Sequence, residues 1–157
     1  MKKILLALAL SGVATTAAAD SWLYAGANLG QSDIGGESAT ATGFHVGTGI
    51  LPIIGLEAGY NYHGKVTNTE YSSYYFAVKP SIDLGPLHVY GKAGVHSYKA
   101  NSINTGTATL DGTKAMYGVG VEYFMFDMLS VGGSYQNFQF EDSNIGSFNL
   151  TATFHFL

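Results

Sequence analysis

The stretch Gly55–Tyr62, GLEAGYNY, alternates between two kinds of residue. Its even-numbered residues are apolar or aromatic, whereas its odd-numbered residues are Gly, Glu or Asn. Because successive side chains of a β-strand point to opposite faces, this period of two predicts a strand. One face of that strand is apolar, and the other is small and polar.

The same alternation recurs along the chain and predicts eight strands. The apolar face of five other strands consists of Phe44, Val46, Thr48 and Ile50; Phe76, Val78 and Ile82; Val89, Ala93 and Val95; Ala115, Tyr117, Val119, Val121 and Tyr123; and Phe148, Leu150, Ala152, Phe154 and Phe156. Leu23–Gly30 and Val131–Phe140 are the predicted first and seventh strands. Pro80 lies inside the fourth strand, where a residue without an N–H predicts a bulge or an early strand end.

The connections between these strands alternate between short and long. Three are tight hairpins, at Leu51-Pro52, Leu84-Gly85-Pro86 and Phe126-Asp127-Met128. Four are polar, and we expect them to be exposed loops: Gln31–Ala41, His63–Ser73, Lys99–Lys114 and Glu141–Ser147. Short turns at one end and long loops at the other are typical of outer-membrane barrels. The predicted fold is therefore all-β, an eight-stranded antiparallel up-and-down transmembrane β-barrel.

A soluble sandwich or a lipocalin-like barrel would also alternate. Such a barrel buries large apolar side chains and carries charge outside, whereas here the polar parity holds Gly, Asn, Thr, His and isolated charges. An eight-stranded barrel leaves an interior that side chains just fill. Glycines and a few polar groups suit that lumen, so we expect the apolar parity to face lipid.

The composition excludes several other classes of protein. Hydrophobic residues make up 46% of the 157 residues and charged residues only 11%, with no Cys. A disordered chain would carry more charge and fewer aromatic residues. A nucleic-acid partner would require a surplus of basic residues, which this chain lacks. Disulfides cannot hold the fold together, and no cofactor motif is present.

The first nineteen residues have the pattern of a secretory signal peptide. Lys2 and Lys3 precede the apolar run Ile4–Leu10, and Ala17–Ala19 provides small residues for cleavage before Asp20. Even when extended to Ala14, this segment is about half the roughly 20 residues that a membrane-spanning helix needs. We therefore expect residues 1–19 to be removed and residues 20–157 to form the barrel domain. This mature chain has five lysines and eleven acidic residues, a formal charge of −6.

Four charged residues fall on the lumen parity of neighbouring strands: Glu57, Lys79, Lys92 and Glu122. An unpaired charge buried there would cost several kcal/mol, so we expect a lumen salt-bridge network. The network is either a structural plug or a switchable gate for small ions. An eight-stranded lumen is so narrow that the plug is favoured.

Aromatic residues cluster towards the two ends of the predicted strands, as in the interfacial girdles of membrane barrels. The upper girdle, on the loop side, is predicted to contain Tyr60, Tyr62, Tyr71, Tyr74 and Tyr135. The lower girdle is predicted to contain Trp22, Leu23, Phe124, Phe154 and Phe156.

The sequence offers little support for catalysis. Some eight-stranded barrels modify lipid A with a His and a Ser, and the nearest candidate pair is His96-Ser97. Adjacent residues of a strand point to opposite faces and cannot form a nucleophile–base pair. The other histidines show no metal-ligand spacing, and His63 is predicted to be solvated. We expect neither an enzyme nor a metal site.

Several stretches resemble, in order, the transmembrane domain of OmpA and the wider superfamily of eight-stranded outer-membrane barrels. They are Leu23–Gln31 (LYAGANLGQ), Gly55–Tyr62, Gly120–Tyr123 (GVEY) and Leu150–Phe156. The resemblance covers essentially the whole mature chain. Individually these motifs are common in barrels, and their order and parity are the specific part.

The resemblance implies a lumen network of acids and bases that plugs the barrel. Glu57, Glu122 and Lys79 fall on matching positions, and Lys92 matches a lumen base. Gly132 stands where the family has a further lumen Arg. Phe156 matches the aromatic C-terminal signal that the barrel-assembly machinery reads. The family's peptidoglycan-binding domain does not follow here, so we expect no cell-wall tethering.

Three functions remain open at this stage. We favour a structural or surface-interaction, adhesin-like role in the cell outer membrane, with a largely plugged lumen. The long loops would lie outside and both termini in the periplasm. The partners would be outer-membrane lipid and lipopolysaccharide, the assembly machinery, and a host-cell or matrix ligand at the loops. The alternatives are a narrow porin-like channel for ions or small solutes and, least favoured, a lipid-modifying enzyme.

Overall fold

The structure, a computed structural model, describes residues 23–104, 108–141 and 143–156, with only the backbone given for 108–110. These residues form eight strands: β1 (Leu23–Ile34), β2 (Glu37–Leu51), β3 (Ile54–Val66), β4 (Thr69–Leu84), β5 (Leu87–Ser102), β6 (Ala108–Phe126), β7 (Leu129–Gln139) and β8 (Asn144–Phe156). The predicted signal peptide and Trp22 lie outside the described residues. Within the described part, no helix is long and apolar enough to cross a membrane.

Each strand pairs antiparallel with the next, and β8 pairs with β1 to close the barrel. Leu23 stands opposite Phe156 at one end of that closing ladder, and Ile34 opposite Ile145 at the other. The predicted eight-stranded up-and-down barrel is confirmed, as are the three short turns.

The two faces of the wall follow the predicted parity. Leu150 is 74% exposed and Phe148 is 70% exposed, whereas Glu57 and Glu122, on the other parity of their strands, are 1% exposed. On β4 the outward apolar positions run from Tyr74 to Leu84, interrupted only by Pro80. That span is the roughly 9–11 residues that a tilted strand needs to cross a bilayer. We refer to this outward zone as the apolar band.

The prediction of long exposed loops is wrong for most of their residues. The first predicted loop, Gln31–Ala41, is the upper part of the β1–β2 hairpin, which closes in a two-residue turn of positive-φ glycines, Gly35 and Gly36. The β3–β4 hairpin likewise turns at Thr67 and Asn68, both with positive φ. Longer connections, of five and four residues, separate β5 from β6 and β7 from β8. Even so, the predicted loop Lys99–Lys114 lies largely within β5 and β6.

The strands were missed there because their polarity reverses above the apolar band. On β5 the outward Ser97 and Lys99 are exposed, whereas the inward Tyr98 and Ala100 are buried. The same reversal occurs on β1, where Asp33 is exposed and Ile34 faces inward. Outside the bilayer the surroundings are water, so a barrel wall places polar groups outward and apolar groups inward. We call this zone, residues 31–40, 64–73, 97–104, 111–114, 137–141 and 143–146, the collar.

Neither an early strand end nor a bulge occurs at Pro80. Strand β4 continues to Leu84, and its register with β5 is the same on both sides of the proline. The ladder pairs stop at Val78–Ala93 and resume at Ser81–Tyr90. Ser81 N–H donates to the Ile53 carbonyl on the β3 side (3.0 Å), so the donor that Pro80 lacks belongs to the β5 side. The proline therefore interrupts the ladder locally without ending the strand.

A matched pair of glycines tests which face is closely packed. A Cβ added at the lumen residue Gly47 would lie 2.2 Å from the Tyr24 ring, whereas at the outward Gly133 its nearest neighbour would be 3.8 Å away. We expect Gly47→Ala to lower the free energy of unfolding by about 1–3 kcal/mol through overpacking. Gly133→Ala should leave it unchanged or raise it, as measured by urea unfolding in lipid vesicles. Equal effects of the two substitutions would contradict the assigned faces.

Candidate functional site

The four predicted lumen charges come from four adjacent strands and meet in one network. Glu57 lies on β3, Lys79 on β4, Lys92 on β5 and Glu122 on β6. The Lys92 Nζ is 2.5 Å from Glu57 Oε1, and the Lys79 Nζ is 3.7 Å from both Glu57 Oε2 and Glu122 Oε1. All four side chains are buried. Two acids and two bases thus cancel inside the lumen, as pairing of buried charges requires.

Neutral hydroxyl groups complete the coordination of the two carboxylates. Tyr75 OH donates to Glu57 Oε1 (2.5 Å), and Tyr24 OH donates to Glu57 Oε2 (3.1 Å). Ser130 OH donates to Glu122 (3.3 Å). The Lys79 ammonium also lies over the Tyr24 ring, 4.5 Å from its centroid, and a lysine over an aromatic face is attracted by the ring quadrupole. The network is therefore held by partners besides its ion pairs.

Three lumen histidines lie around this network. His45 bonds Thr153 (3.1 Å), and His155 bonds Ser130 (2.9 Å). His88 bonds Asp83 at 2.5 Å. Across the described ranges, no group of three or more His, Asp or Glu residues is arranged to hold a metal ion. These three histidines act as hydrogen-bonded filling of a polar wall.

An amide layer lies on the collar side of the network. Asn28 donates to Asn61 (3.1 Å) and to Asn149 (3.4 Å). Asn61 in turn donates to Gln136 (3.5 Å). These four side chains come from β1, β3, β7 and β8, so they span the lumen and link strands that are not neighbours.

Beyond the amides, the lumen contains an apolar cluster that the sequence analysis did not predict. The cluster, called here the apolar cap, consists of Ile34, Ala39, Tyr75, Ala77, Tyr98, Met116, Phe138, Phe140 and Ile145. Tyr98, Phe138 and Ile145 are fully buried. The rings of Tyr98 and Phe140 lie 4.3 Å apart between centroids. One signal was available in the sequence: Phe138 and Phe140 share parity with the small lumen residues of β7.

Two residues of the predicted loop His63–Ser73 lie elsewhere than predicted. His63 is fully buried rather than solvated: its Nε2 bonds Ser73 Oγ (2.7 Å), and its ring packs on Phe138 (4.6 Å between centroids). Tyr71 packs against the cap, with its ring 6.0 Å from that of Phe140, and so does not belong to the girdle. Both were assigned to a loop, and a loop has no inward face.

Phe124, predicted for the lower girdle, faces the lumen instead, where its ring packs on that of His155 (4.7 Å between centroids). The other described girdle residues point outward at the edges of the apolar band. At the upper edge Tyr60 packs on Tyr74 (4.8 Å). Tyr62 OH donates to Glu70 (3.5 Å), and the ring of Tyr135 lies against Phe148 (4.8 Å). At the lower edge Phe154 and Phe156 pack together (4.9 Å). The sequence analysis missed Phe44, whose ring lies 5.7 Å from that of Tyr60, and Phe148 as members of the upper girdle.

The His96-Ser97 pair is split between the two faces of the wall. His96 is buried, and its Nε2–H donates to the Gln139 carbonyl (2.7 Å). Ser97 is exposed on the outer face. The buried His63–Ser73 pair has hydrogen-bond geometry, but the ring of Phe138 covers it. Neither pair combines a nucleophile and a base with access to substrate.

Comparison with known proteins places this architecture among outer-membrane barrels. The family model described as "Outer membrane protein beta-barrel domain" matches residues 4–156. The N-terminal β-barrel domain of Pseudomonas aeruginosa OprF is similar, with a TM-score of 0.70 and 16% identity over 87% of this chain and 99% of that one. No curated protein matches the chain.

Two further solved barrels have a similar fold, but one is an attachment invasion locus protein and the other an enzyme. Ail, the attachment invasion locus protein of Yersinia pestis, was solved in complex with the heparin analogue sucrose octasulfate. It has a TM-score of 0.62 and 17% identity over 87% of this chain and 98% of that one. The outer membrane enzyme PagL has a TM-score of 0.54 and 12% identity over 85% of this chain and 99% of that one. At these identities the likeness is one of fold.

Removing one charge of the network tests how strongly it holds the barrel. In Glu57→Gln the ammonium groups of Lys79 and Lys92 lose a shared carboxylate inside the lumen. We expect the free energy of unfolding to fall by about 3–5 kcal/mol, because an uncompensated charge stays buried. Urea unfolding in vesicles, followed by the gel shift between folded and boiled protein, measures the loss.

The control uses the pair Lys114–Glu141 (4.0 Å), whose side chains are 40% and 58% exposed. Lys114→Ala should change the free energy of unfolding by no more than about 1 kcal/mol, because water screens an exposed pair. A Glu57→Gln effect as small as this control would show that the network contributes little to the fold.

Proposed function

The chain belongs to the family of outer membrane protein β-barrel domains, and on that premise we propose a structural or surface-interaction, adhesin-like role with a largely plugged lumen. One observation carries the proposal. The lumen is filled from the histidines at one end to the apolar cap at the other, whereas the collar presents a polar outer surface above the apolar band. A filled barrel acts through its outside, so the collar is the surface available to a partner.

The same polarity supports an orientation and a set of partners. The apolar band contacts outer-membrane lipid, and its upper edge contacts lipopolysaccharide. The collar lies outside the cell, and both chain ends lie on the periplasmic side with the short turns. Strand β8, which ends at Phe156, carries the aromatic side chain for the barrel-assembly machinery.

The charge of the collar favours one class of ligand. Its described residues include the acids Asp33, Glu37, Glu70, Asp111 and Glu141 and the bases Lys65, Lys99 and Lys114. This excess of acids disfavours a sulfated ligand such as the heparin analogue in the Ail complex, since like charges across an interface are unfavourable. A neutral or basic host-cell or matrix ligand fits the collar better.

A narrow channel for ions or small solutes is the second candidate. The observation that favours it is the charged network. The Lys79 ammonium lies equally far from Glu57 and Glu122, so it could shift from one carboxylate to the other and let an ion pass. Swelling of proteoliposomes in small sugars separates the candidates. We expect no swelling above that of protein-free liposomes, whereas swelling at the rate of a general porin would favour the channel.

We also propose that the chain is not an enzyme. The separation of His96 from Ser97 and the covered His63–Ser73 pair support this view. Because PagL shows that this class of fold can carry an enzyme, the test is direct. Mass spectra of lipid A from a deletion strain and from the complemented strain should be identical. A mass difference equal to an acyl chain would overturn the proposal.

Charge reversal in the collar tests the surface-interaction role. In the double variant Glu37→Lys/Asp111→Lys, two exposed collar acids become bases. We expect binding of protein-expressing cells to a host-cell or matrix-coated surface to fall several-fold, because the collar loses its acidic field.

The matched control is Asp127→Lys, which reverses an exposed acid in the short turn between β6 and β7, at the other end of the barrel. It should bind like the unchanged protein. If cells with the unchanged protein bind no more strongly than a deletion strain, the collar is not adhesive. Equal losses of binding in the collar variant and in Asp127→Lys would argue against it as well. The gel shift on boiling verifies that each variant is folded.

A further inference from the structure

We infer that the permeability barrier of this barrel is the apolar cap at its outer end, in series with the ionic network, so that opening the network alone does not create a channel. The inference deepens the proposed plugged lumen and rests on it. It assigns the block to ion flow to the buried cap side chains rather than to the charged residues alone.

The cap and the network occupy different heights in the lumen. On β6 Glu122 belongs to the network and Met116 to the cap, six residues further towards the outer end. On β5 the same spacing separates Lys92 from Tyr98. At roughly 3.3 Å per residue, six residues correspond to about 20 Å along a strand. The amide layer lies between them, and Tyr75 contacts both levels through its hydroxyl and its ring.

The cap closes the lumen with side chains from around the wall. Ile34 comes from β1, Tyr98 from β5, Phe138 from β7 and Ile145 from β8. Phe138 is the centre of the packing: the rings of His63, Tyr75 and His96 lie 4.6, 6.2 and 5.1 Å from it between centroids. Phe138 is fully buried between them, so no water-accessible space reaches its ring.

The two layers oppose an ion by different physical means. In the network an ion can compete for Glu57 or Lys79, and a change of partners leaves every charge paired. In the cap an ion would lose its hydration among rings that offer few ligands in return, which is how hydrophobic constrictions block conduction. Of the two histidines that pack on Phe138, His63 bonds Ser73 and His96 bonds a backbone carbonyl, each through its Nε2. Among the described residues, their Nδ1 atoms and the Tyr98 hydroxyl have no hydrogen-bond partner, and these are too few groups to replace a hydration shell. Rearranging the ion pairs therefore leaves the cap closed.

Conductance in planar bilayers tests the series arrangement. The proteins compared are the unchanged chain, Lys79→Ala, Phe138→Ala/Phe140→Ala and the triple variant. We expect single-channel conductance to rise at least tenfold in the triple variant only. Conductance in Lys79→Ala equal to that of the triple variant would overturn the inference, since the network would then be the sole barrier. Full conductance in the cap variant alone would overturn the series arrangement.

Thiol labelling measures the cap independently of ion flow. The chain contains no Cys, so Ser134→Cys places one thiol in the lumen of β7, four residues from Phe138 on the network side. A membrane-impermeant maleimide added at the collar side should leave it unlabelled with the cap intact. It should label it in the Phe138→Ala/Phe140→Ala background. If the thiol is labelled with the cap intact, or in neither background, the cap is not the barrier.

Failure of the inference and failure of the proposed function give different results. Conductance of the unchanged chain contradicts the plugged lumen itself. Conductance of Lys79→Ala alone contradicts only the assignment of the barrier to the cap. The gel shift on boiling verifies that each variant inserts as a folded barrel.

Discussion

The constraint on which the rest of the structure depends is that lipid offers the backbone no hydrogen-bond partner. A strand in the bilayer must therefore be paired on both sides, and the ladder must close, as β1 does with β8. Pro80 shows that the ladder accepts only a local loss of hydrogen bonding. Pairing is lost opposite Gly91, but the register and the strand continue on both sides. Closure with only eight strands then decides the lumen, because so small a ring leaves a space that side chains must fill.

Filling that lumen produces layers of different chemistry along one axis. Within the apolar band the filling is polar, and its charges are paired because burying them singly would cost too much. In the collar the outside meets water, and the inside becomes an apolar core like that of a soluble barrel. In the band the inner face of the wall is polar and the outer face apolar. In the collar this arrangement is reversed. Ser97 and Tyr98, adjacent on β5, illustrate the reversal, since the polar residue is exposed outward and the aromatic residue is buried inward.

The sequence predicted those features that follow from a constant pattern. A period of two from Gly55 to Tyr62 is enough to assign a strand, its lipid face and the inward position of Glu57. Reading the parity of β4, β5 and β6 in the same way placed Lys79, Lys92 and Glu122 in the lumen. The strands of the collar were not predicted because their alternation of polar and apolar residues is the reverse of that in the band. Polar residues on the outward parity look like a loop when the water outside the membrane is not considered. His63 and Tyr71 were misplaced for that reason, and the cap was missed with them.

Quenching of tryptophan fluorescence by brominated lipids tests most directly where the wall changes polarity. Single tryptophans would be placed in a Trp22→Phe background at Phe76 and Val121 in the band and at Lys99 and Thr113 in the collar, all exposed outward positions. The structure predicts strong quenching at positions 76 and 121 by lipids brominated along their acyl chains, and little quenching at positions 99 and 113. Equal quenching at all four positions would contradict the account, because the collar would then lie within the bilayer.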